Sequence, residues 1–310
     1  MSLGVLGYLG SKNIGDFIQT KAVLDLVNSK NIKYIDRENL HLYNGKVIKT
    51  IINGWFMEDP DNWPPSKKII PLFISFHITP AVKYKLLQKQ SLEYFKDHEP
   101  IGCRDFYTRD ILLENGINAF FSSCVTTSIE RDKYLKKSIP EGIIVVGPFD
   151  RLKPNLDYKS IFKLLISILK FPVKAINYNL KLKKFNKYLR KQKQSVKVFD
   201  QITAHEIKSH TEGLRFANEM LEKIAESEIM ITSRIHAALP AVAMGLKVIF
   251  IDEGLKHENH RQRLSGLKNY FTYVNLKEFL MLNLDDIQLM KNHKPYIQKN
   301  KDLIAKFLNQ

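Results

Sequence analysis

Apolar positions along this chain fall into two alternating kinds of run. Short blocks rich in β-branched and aromatic residues occur at Val5-Leu6, 33–36, 47–53, Ile69–Phe76, Ile101–Cys103 and Phe120–Ser128, and again at Ile143–Val146, Val196–Phe199, Ile229–Thr232 and Val248–Ile251. Between them, apolar residues recur at helical spacing over Phe17–Asn28, 80–96, 105–115, 158–191, Glu212–Ser227, Ala237–Met244 and 284–309. The blocks read as buried strands and the longer stretches as helices. Alternation in both halves implies two Rossmann-like parallel-sheet α/β domains whose carboxyl edges face each other across a cleft. A length of 310 residues also predicts two domains. A break near 130–141, with Lys136-Lys137 and Pro140-Glu141-Gly142, separates them. The reading is an N-terminal domain at 1–135 and a C-terminal domain at 136–280 with a basic helical insertion at 157–197. A helix at 281–310 follows, with the N-terminal domain as one surface to pack on.

The richest stretch is 229–252, IMITSRIHAALPAVAMGLKVIFID. A strand ends at Ser233-Arg234-Ile235-His236, a small-residue helix follows, Gly245 closes it and a second strand begins. Arg234 and His236 therefore fall where a strand's carboxyl end meets a helix N-terminus, the place where open parallel sheets bind ligands and where free N–H groups favour an anion. Two positions apart on extended chain, they point the same way. The plainer alternative is that Arg234 caps a neighbouring carboxylate and His236 is a hydrogen-bonded helix-start residue. Comparable positions recur upstream. Asp16 closes a glycine-containing loop before the first helix, where it is either functional or an N-cap. His77 ends a strand, either as a site residue or a structural histidine. Arg104 opens a helix whose dipole opposes it, so it needs an anionic partner, with Asp105 the nearest candidate.

The formal net charge of +16 changes the picture only locally. Residues 158–199 hold twelve Lys or Arg and no acid, and without them the balance is 16 − 12 = +4. The segment is amphipathic on both sides of Pro172, with Ile161, Leu164, Leu165, Ile168 and Leu169 before it and Tyr178, Leu182, Phe185 and Leu189 after it, which predicts two helices. It fits an anionic membrane surface or a solvated connection; nucleic acid ranks last, since no nucleic-acid motif accompanies the charge. Two cysteines make no disulfide framework and read as reduced thiols. No basic start with a cleavage site marks a signal peptide, and no uncharged apolar run reaches the ~20 residues a bilayer span needs.

Read in order, the motifs are Asn13-Ile-Gly15-Asp16, Asn53-Gly-Trp55-Phe, Trp63-Pro-Pro65-Ser with Ser75-Phe-His77, Ile101-Gly-Cys-Arg104-Asp105, Ser123-Cys124-Val-Thr-Thr127, Ser233-Arg234-Ile-His236 and Arg263-Leu-Ser-Gly266-Leu. This series resembles the polysaccharide pyruvyl transferase family, from about residue 3 to 268; the basic stretch lies outside the resemblance. The resemblance implies a glycosyltransferase-B-like architecture with a donor site between domains. It implies transfer of the enolpyruvyl-derived group of phosphoenolpyruvate to a sugar, usually as a cyclic ketal, on a cell-surface polysaccharide or its lipid-linked precursor. It implies no metal and no cofactor beyond phosphoenolpyruvate as co-substrate.

In that setting Arg234 is the first choice for donor binding, followed by Arg104 and Arg151, because a guanidinium fork suits both carboxylate and phosphate. Ile235 lies beside them. Lys256 and Arg263 either neutralise the departing phosphate or face solvent. His236 is the proposed proton donor to the methylene carbon, kept protonated by a nearby anion. Asp16 or His77 takes the acceptor's proton, and Asn13, Gly15 and His77 form the acceptor side. The expected location is the cytoplasmic face of the cell membrane. The alternatives are a nucleotide-sugar glycosyltransferase of the same fold and a non-catalytic membrane-surface protein.

Overall fold

The computed structural model describes every residue except Met1, Asn28, Lys30, Lys137, Ser138 and Lys256. Asn28, the expected end of the first helix, and Lys256 thus lie outside the described residues. The strands are β1 (Leu3–Gly7), β2 (Ile32–Asp36), β3 (Ile48–Phe56), β4 (Ile69–Ile78), β5 (Ile101–Cys103) and β6 (Ala119–Phe121), then β7 (Ile143–Val146), β8 (Val196–Phe199), β9 (Ile229–Thr232), β10 (Lys247–Ile251) and β11 (Thr272–Val274). They form two parallel sheets, ordered β2-β1-β3-β4-β5-β6 and β11-β10-β9-β7-β8. In the first sheet the chain leaves β1 toward β2 and returns to β3 on its other side; in the second it leaves β7 toward β8 and returns to β9. Each sheet thus has a switch point where loops at the carboxyl edge diverge and open a crevice. The architecture is two parallel-sheet α/β domains, as the alternation of runs implies.

The helices are α1 (Ile14–Val27), α2 (Lys83–Leu86), α3 (Lys89–Asp97), α4 (Phe106–Glu114), α5 (Ile161–Leu189), α6 (His210–Ala225), α7 (Ile235–Ala243), α8 (Glu258–Gln262), α9 (Leu276–Phe279) and α10 (Lys294–Asn309). Three expectations fail. The stretch 80–96 is not one helix but a 3₁₀ turn and two short helices, and Phe120–Ser128 holds only a three-residue strand before a 3₁₀ turn at Val125–Ser128. Pro172 does not divide the basic segment either, since α5 runs unbroken through it over 29 residues. A proline lacks one N–H but is tolerated where the helix face is wet and the freed carbonyl meets water.

Period-two patterning on β7 shows how the second sheet is covered. Ile144 and Val146 join the apolar cluster that also contains Val5, Ile51, Phe76 and Ile101 of the first sheet. Ile143 and Val145 turn to a second cluster beneath the last turns of α5, with Phe149, Phe185 and Phe279. One core therefore joins the lobes. α7 is its keystone: the alanines at 237, 238 and 241 are fully buried, so the helix backbone approaches both lobes closely. α10 crosses back to the first sheet, where Asn300 Nδ2 donates to Ser122 O (2.8 Å) and Lys49 Nζ to Phe307 O (2.7 Å).

Candidate active site between the sheets

Three strand ends of the first sheet are tied into one frame. Ser75 N–H donates to Ser122 Oγ (2.9 Å), which donates to Cys103 O (3.0 Å). Tyr270 and Ser123 hydroxyls pair at 3.1 Å. Ser75 and Ser123 both sit in the left-handed region, with φ of 62° and 60°. Such backbone costs about 1–3 kcal/mol per residue and persists where surroundings fix it, commonly at functional sites. Two residues beyond Ser75, His77 is fully buried; its Nδ1 lies 2.6 Å from Asp105 Oδ2 and 3.2 Å from Thr108 Oγ1, and its Nε2 has no protein partner. Burial pushes His77 down to about 4, reinforced by Arg104 and opposed by Asp105. Burial works against the charge on Asp105, but His77, Arg104 and the Thr108 amide outweigh it and hold its carboxyl below the usual range.

Asp105 therefore orients His77 and caps α4 through Thr108 N–H (2.9 Å), leaving little for its neighbour. Arg104 Nε is 3.6 Å from Asp105, beyond hydrogen-bonding distance, and none of its three guanidinium nitrogens has a protein hydrogen-bond partner although the residue is 0% exposed. Burying an ion costs several kcal/mol unless a partner offsets it. An arginine held this way asks for an anion.

The second sheet contributes the ends of β7 and β9. Ser233 Oγ donates to Gly147 O (2.7 Å) and Thr232 Oγ1 to Val146 O (2.6 Å), locking the two ends together. Arg234 donates through Nε (2.9 Å) and Nη2 (2.6 Å) to Asp150 Oδ2. Gly147 makes room: a Cβ there would lie 2.1 Å from Asp150 Oδ2. Arg234 is thus the carboxylate-capping residue of the plainer alternative.

The expectation that Arg234 and His236 share a direction also fails. Arg234 is the extended residue before α7 (φ −100°, ψ 118°), whereas His236 is already in its first turn, so the chain turns between them. Ile235 is buried in the apolar core. Arg151 stays beside Arg234, with its pKa pushed down to about 10 by burial and by that neighbour, and donates to His260 Nδ1 at 2.9 Å.

His236 lies among groups from both lobes, with its Cβ against Gly15 of the first. It is buried and its Nε2 has no protein partner. Burial lowers its pKa well below 6.5, and Arg104, Arg263 and His77 push the same way, which identifies the groups around it. In the ligand-free protein this ring is neutral; the expected protonated acid is not present until negative charge arrives. Arg263 is half-buried rather than solvent-facing, held by a segment that docks on the first lobe where Phe106 N–H donates to Ser265 O (3.2 Å) and Tyr107 N–H to Ser265 Oγ (3.0 Å). Its pKa is pushed down to about 9 by burial and by Arg104 and Arg151. Arg104 and Arg263 thus supply the positive charge of an interior cluster fed by both lobes, with uncharged His77 and His236 and the carboxylates Asp105 and Asp16 around them. Among the described residues no group of His, Cys, Asp and Glu has a metal-site arrangement.

The Asn13–Asp16 loop closes the floor. Asn13 Oδ1 accepts from Gly15 N–H (3.1 Å) and Gln201 Nε2 (2.7 Å), joining the lobes, and a Cβ on Gly15 would lie 2.3 Å from Gln201 Nε2 and 2.9 Å from His236 Cβ. Asn13 and Gly15 are therefore fixed by packing. Asp16 lies in the first turn of α1 rather than at its cap, and accepts from Ser11 Oγ (2.8 Å) and Asn13 Nδ2 (3.2 Å). Burial raises its pKa, opposed by Arg37 and Arg263. Asp16 also lines a cavity of about 370 Å³ with Asp36, Glu38, Glu58, Arg37 and Trp55. The Arg37 guanidinium stacks 4.3 Å from the Trp55 ring and donates to Glu38 Oε1 at 2.6 Å. Of this second chamber the motifs named only Asp16 and Trp55; Asp36-Arg37-Glu38 at the carboxyl end of β2 was its overlooked signal. Gln201 and His260 were missed because no local pattern marks them.

A family described as polysaccharide pyruvyl transferase matches residues 13–254. The chain belongs to the polysaccharide pyruvyl transferase family. This chain also shares its fold with a functionally uncharacterised protein from Klebsiella pneumoniae, at a TM-score of 0.51 and 13% identity, over 88% of this chain and 93% of that one. No curated protein matches in sequence. The family match includes His77, Arg104, Arg151, Arg234 and His236 and stops before His260 and Arg263, so the transferase's cationic cluster is completed by residues beyond it.

Proposed function

We propose that this pyruvyl transferase takes its group from phosphoenolpyruvate held by Arg104, Arg263 and His236, and transfers it to a sugar bound in the adjoining carboxylate- and tryptophan-lined cavity. The observation that carries this reading is Arg104, fully buried with no protein hydrogen-bond partner on any guanidinium nitrogen. A small donor bearing both carboxylate and phosphate matches that cation in charge and in hydrogen-bonding shape. Trp55 offers an apolar face for a sugar ring, and Asp36, Glu38 and Glu58 offer acceptors for its hydroxyls. Asp16 belongs to both chambers, because Arg37 on one side and Arg263 on the other act on its carboxyl.

The chemistry follows from these positions. Donor anions offset the Arg104 and Arg263 charges and return a proton to His236. His236 gives that proton to the methylene carbon, whose π electrons form the new C–H bond and leave an oxocarbenium-like C2. One acceptor hydroxyl attacks C2 and gives its proton to Asp16 or to His77 Nε2, the nitrogen left free by the Asp105 contact. The second hydroxyl forms the other C–O bond as phosphate leaves with its electron pair. One hydroxyl proton ends, in net terms, in the new methyl group and the other on phosphate. Arg151, and Arg234 with its Asp150 partner, serve as a secondary positive wall, and Lys256 remains a proposed phosphate neighbour. A lipid-linked saccharide is the acceptor class proposed.

Incubation with phosphoenolpyruvate and lipid-linked saccharides should release phosphate and add the mass of a pyruvyl ketal. Phosphoenolpyruvate, set against a panel of nucleotide sugars, should raise the thermal midpoint, since only ligands of the native state do so. A midpoint raised by a nucleotide sugar and not by phosphoenolpyruvate would refute the donor assignment.

A further inference from the structure

We infer that the first half of α5 is a membrane-docking element that lays an exposed apolar stripe into an anionic bilayer surface on the side of the second sheet's carboxyl edge. This inference needs no donor or acceptor, so it stands or fails separately from the reading above.

The length of α5 is the first observation. Its 29 residues span about 43 Å, whereas a four-residue strand such as β7 covers about 13 Å. Phe185 and Leu189, its buried apolar residues, pack on the second sheet from the last two turns. Lys181 Nζ contacts Glu253 Oε2 at 2.6 Å, just past the carboxyl end of β10, which sets residue 181 level with the sheet's carboxyl edge. Tyr178 is the last residue toward the N-terminus that packs on the second sheet's core, and the seventeen residues before it, 161–177, span about 25 Å beyond it. The carboxyl edge is the one that carries Arg151 and Arg234. In the protruding half only Ser167 is buried, and its hydroxyl accepts from Asp157 N–H (3.1 Å) in the preceding loop.

The second observation is what this half presents. Phe162, Leu165, Leu169, Val173, Ile176 and Leu180 recur at spacings of three and four, one helical stripe, and all are exposed. Phe162 is 69% exposed, Leu169 79% and Val173 71%. Toward the C-terminus the same stripe turns basic at Lys183, Lys184 and Lys187, and Lys163, Lys170 and Lys174 run along its flank. Among the described residues no helix is long and apolar enough to cross a membrane. A helix with an apolar face, lysines around it and no acid has the composition of one that lies in the plane of an interface.

Charge selects the occupant. A second copy of α5 would oppose lysine to lysine along the flanks with no acidic residue to answer them, the reverse of a coiled-coil pair. A nucleic acid would answer the lysines and leave six apolar side chains in water. A bilayer containing anionic lipid accepts both parts.

The test is co-sedimentation of the full chain with phosphatidylcholine vesicles, with and without phosphatidylglycerol, at low and high salt. The wild type should bind the anionic vesicles at low salt at least ~10-fold more tightly than the neutral ones, and high salt should weaken this binding. Leu169→Ser/Val173→Ser/Ile176→Ser should lose at least ~10-fold with an unchanged thermal midpoint, because these side chains pack against nothing in the protein. Both native cysteines are buried, so a polarity-sensitive dye on Leu169→Cys should shift to the blue only with anionic vesicles. No binding at low salt, binding unaffected by the serine triple variant, or a wild-type dimer that the triple variant dissociates would each overturn the inference.

Discussion

Arg104 and Arg234 each stand just beyond a strand and before a helix, one in each lobe. Their surroundings are opposite. Arg234 meets Asp150 at 2.6 and 2.9 Å, and its side chain is one-fifth exposed. Arg104 is fully buried, and the carboxylate next to it lies closer to His77, at 2.6 Å, than to its own guanidinium, at 3.6 Å. The same residue type at a strand-to-helix junction is a hydrogen-bonded ion pair in one lobe and a charge without a hydrogen-bond partner in the other. The loop geometry decides: Gly147 opens space for a carboxylate against Arg234, while Asp105 is committed to capping α4 and orienting a histidine. Position at a strand end therefore marks where a ligand can bind; the partner of each side chain marks which residue binds it.

The contrast is sharpest in activity. Arg104→Met and His236→Ala should each lower turnover by at least ~100-fold, the scale of a lost charge clamp or general acid. Initial-rate phosphate release measures this, and near-wild-type turnover by either variant would remove that residue from the mechanism.

Stability should separate the two arginines by size. Arg104→Met relieves the burial of a charge that has no hydrogen bond but also removes a cation 3.6 Å from buried Asp105; the two effects oppose each other, and the net change should stay within about 1 kcal/mol. Arg234→Ala strands Asp150, with only Lys153 at 3.1 Å, and should destabilise the protein by roughly 1–3 kcal/mol. Urea melts of both variants check this; equal losses would break the comparison.

The pH dependence follows from the same interior. His77 is held near 4, and His236 well below 6.5, when folded. Between the unfolded value of about 6.5 and these folded values the unfolded chain binds more protons, so stability is complete above pH 6.5 and falls as the pH drops toward 4. The loss should reach a few kcal/mol, with half-buried His260 adding less. Thermal midpoints from pH 8 to 4.5 test it; a flat profile would contradict neutral buried histidines. A smaller effect is expected from Gly147→Ala, which crowds the Arg234–Asp150 pair at a residue with φ of 49° and should cost about 1–2 kcal/mol while the donor affinity at Arg104 is kept.

Much of this was legible in the residues. Block-and-stripe patterning reads the two parallel sheets directly, because strands buried on both faces are apolar throughout and their crossovers carry helical period. The site's strand-end residues Asp16, His77, Arg104 and His236 were equally visible. Ranking them was not. Arg234 outranked Arg104 because no sequence pattern shows Asp150 folding back 84 positions to meet it. Arg263 looked solvent-facing because its burial depends on Ser265 docking onto α4, a contact across more than 150 residues. Pro172 promised a break that the wet surface of α5 does not impose.

Calorimetric titration of phosphoenolpyruvate into the wild type and Arg104→Met, each in two buffers of different ionisation enthalpy at pH 7.5, tests the interior cationic cluster most directly. The wild type should bind the donor with uptake of up to about one proton as His236 recharges, and Arg104→Met should show neither binding nor uptake. Equal affinity in both proteins, with no proton taken up by either, would contradict the account.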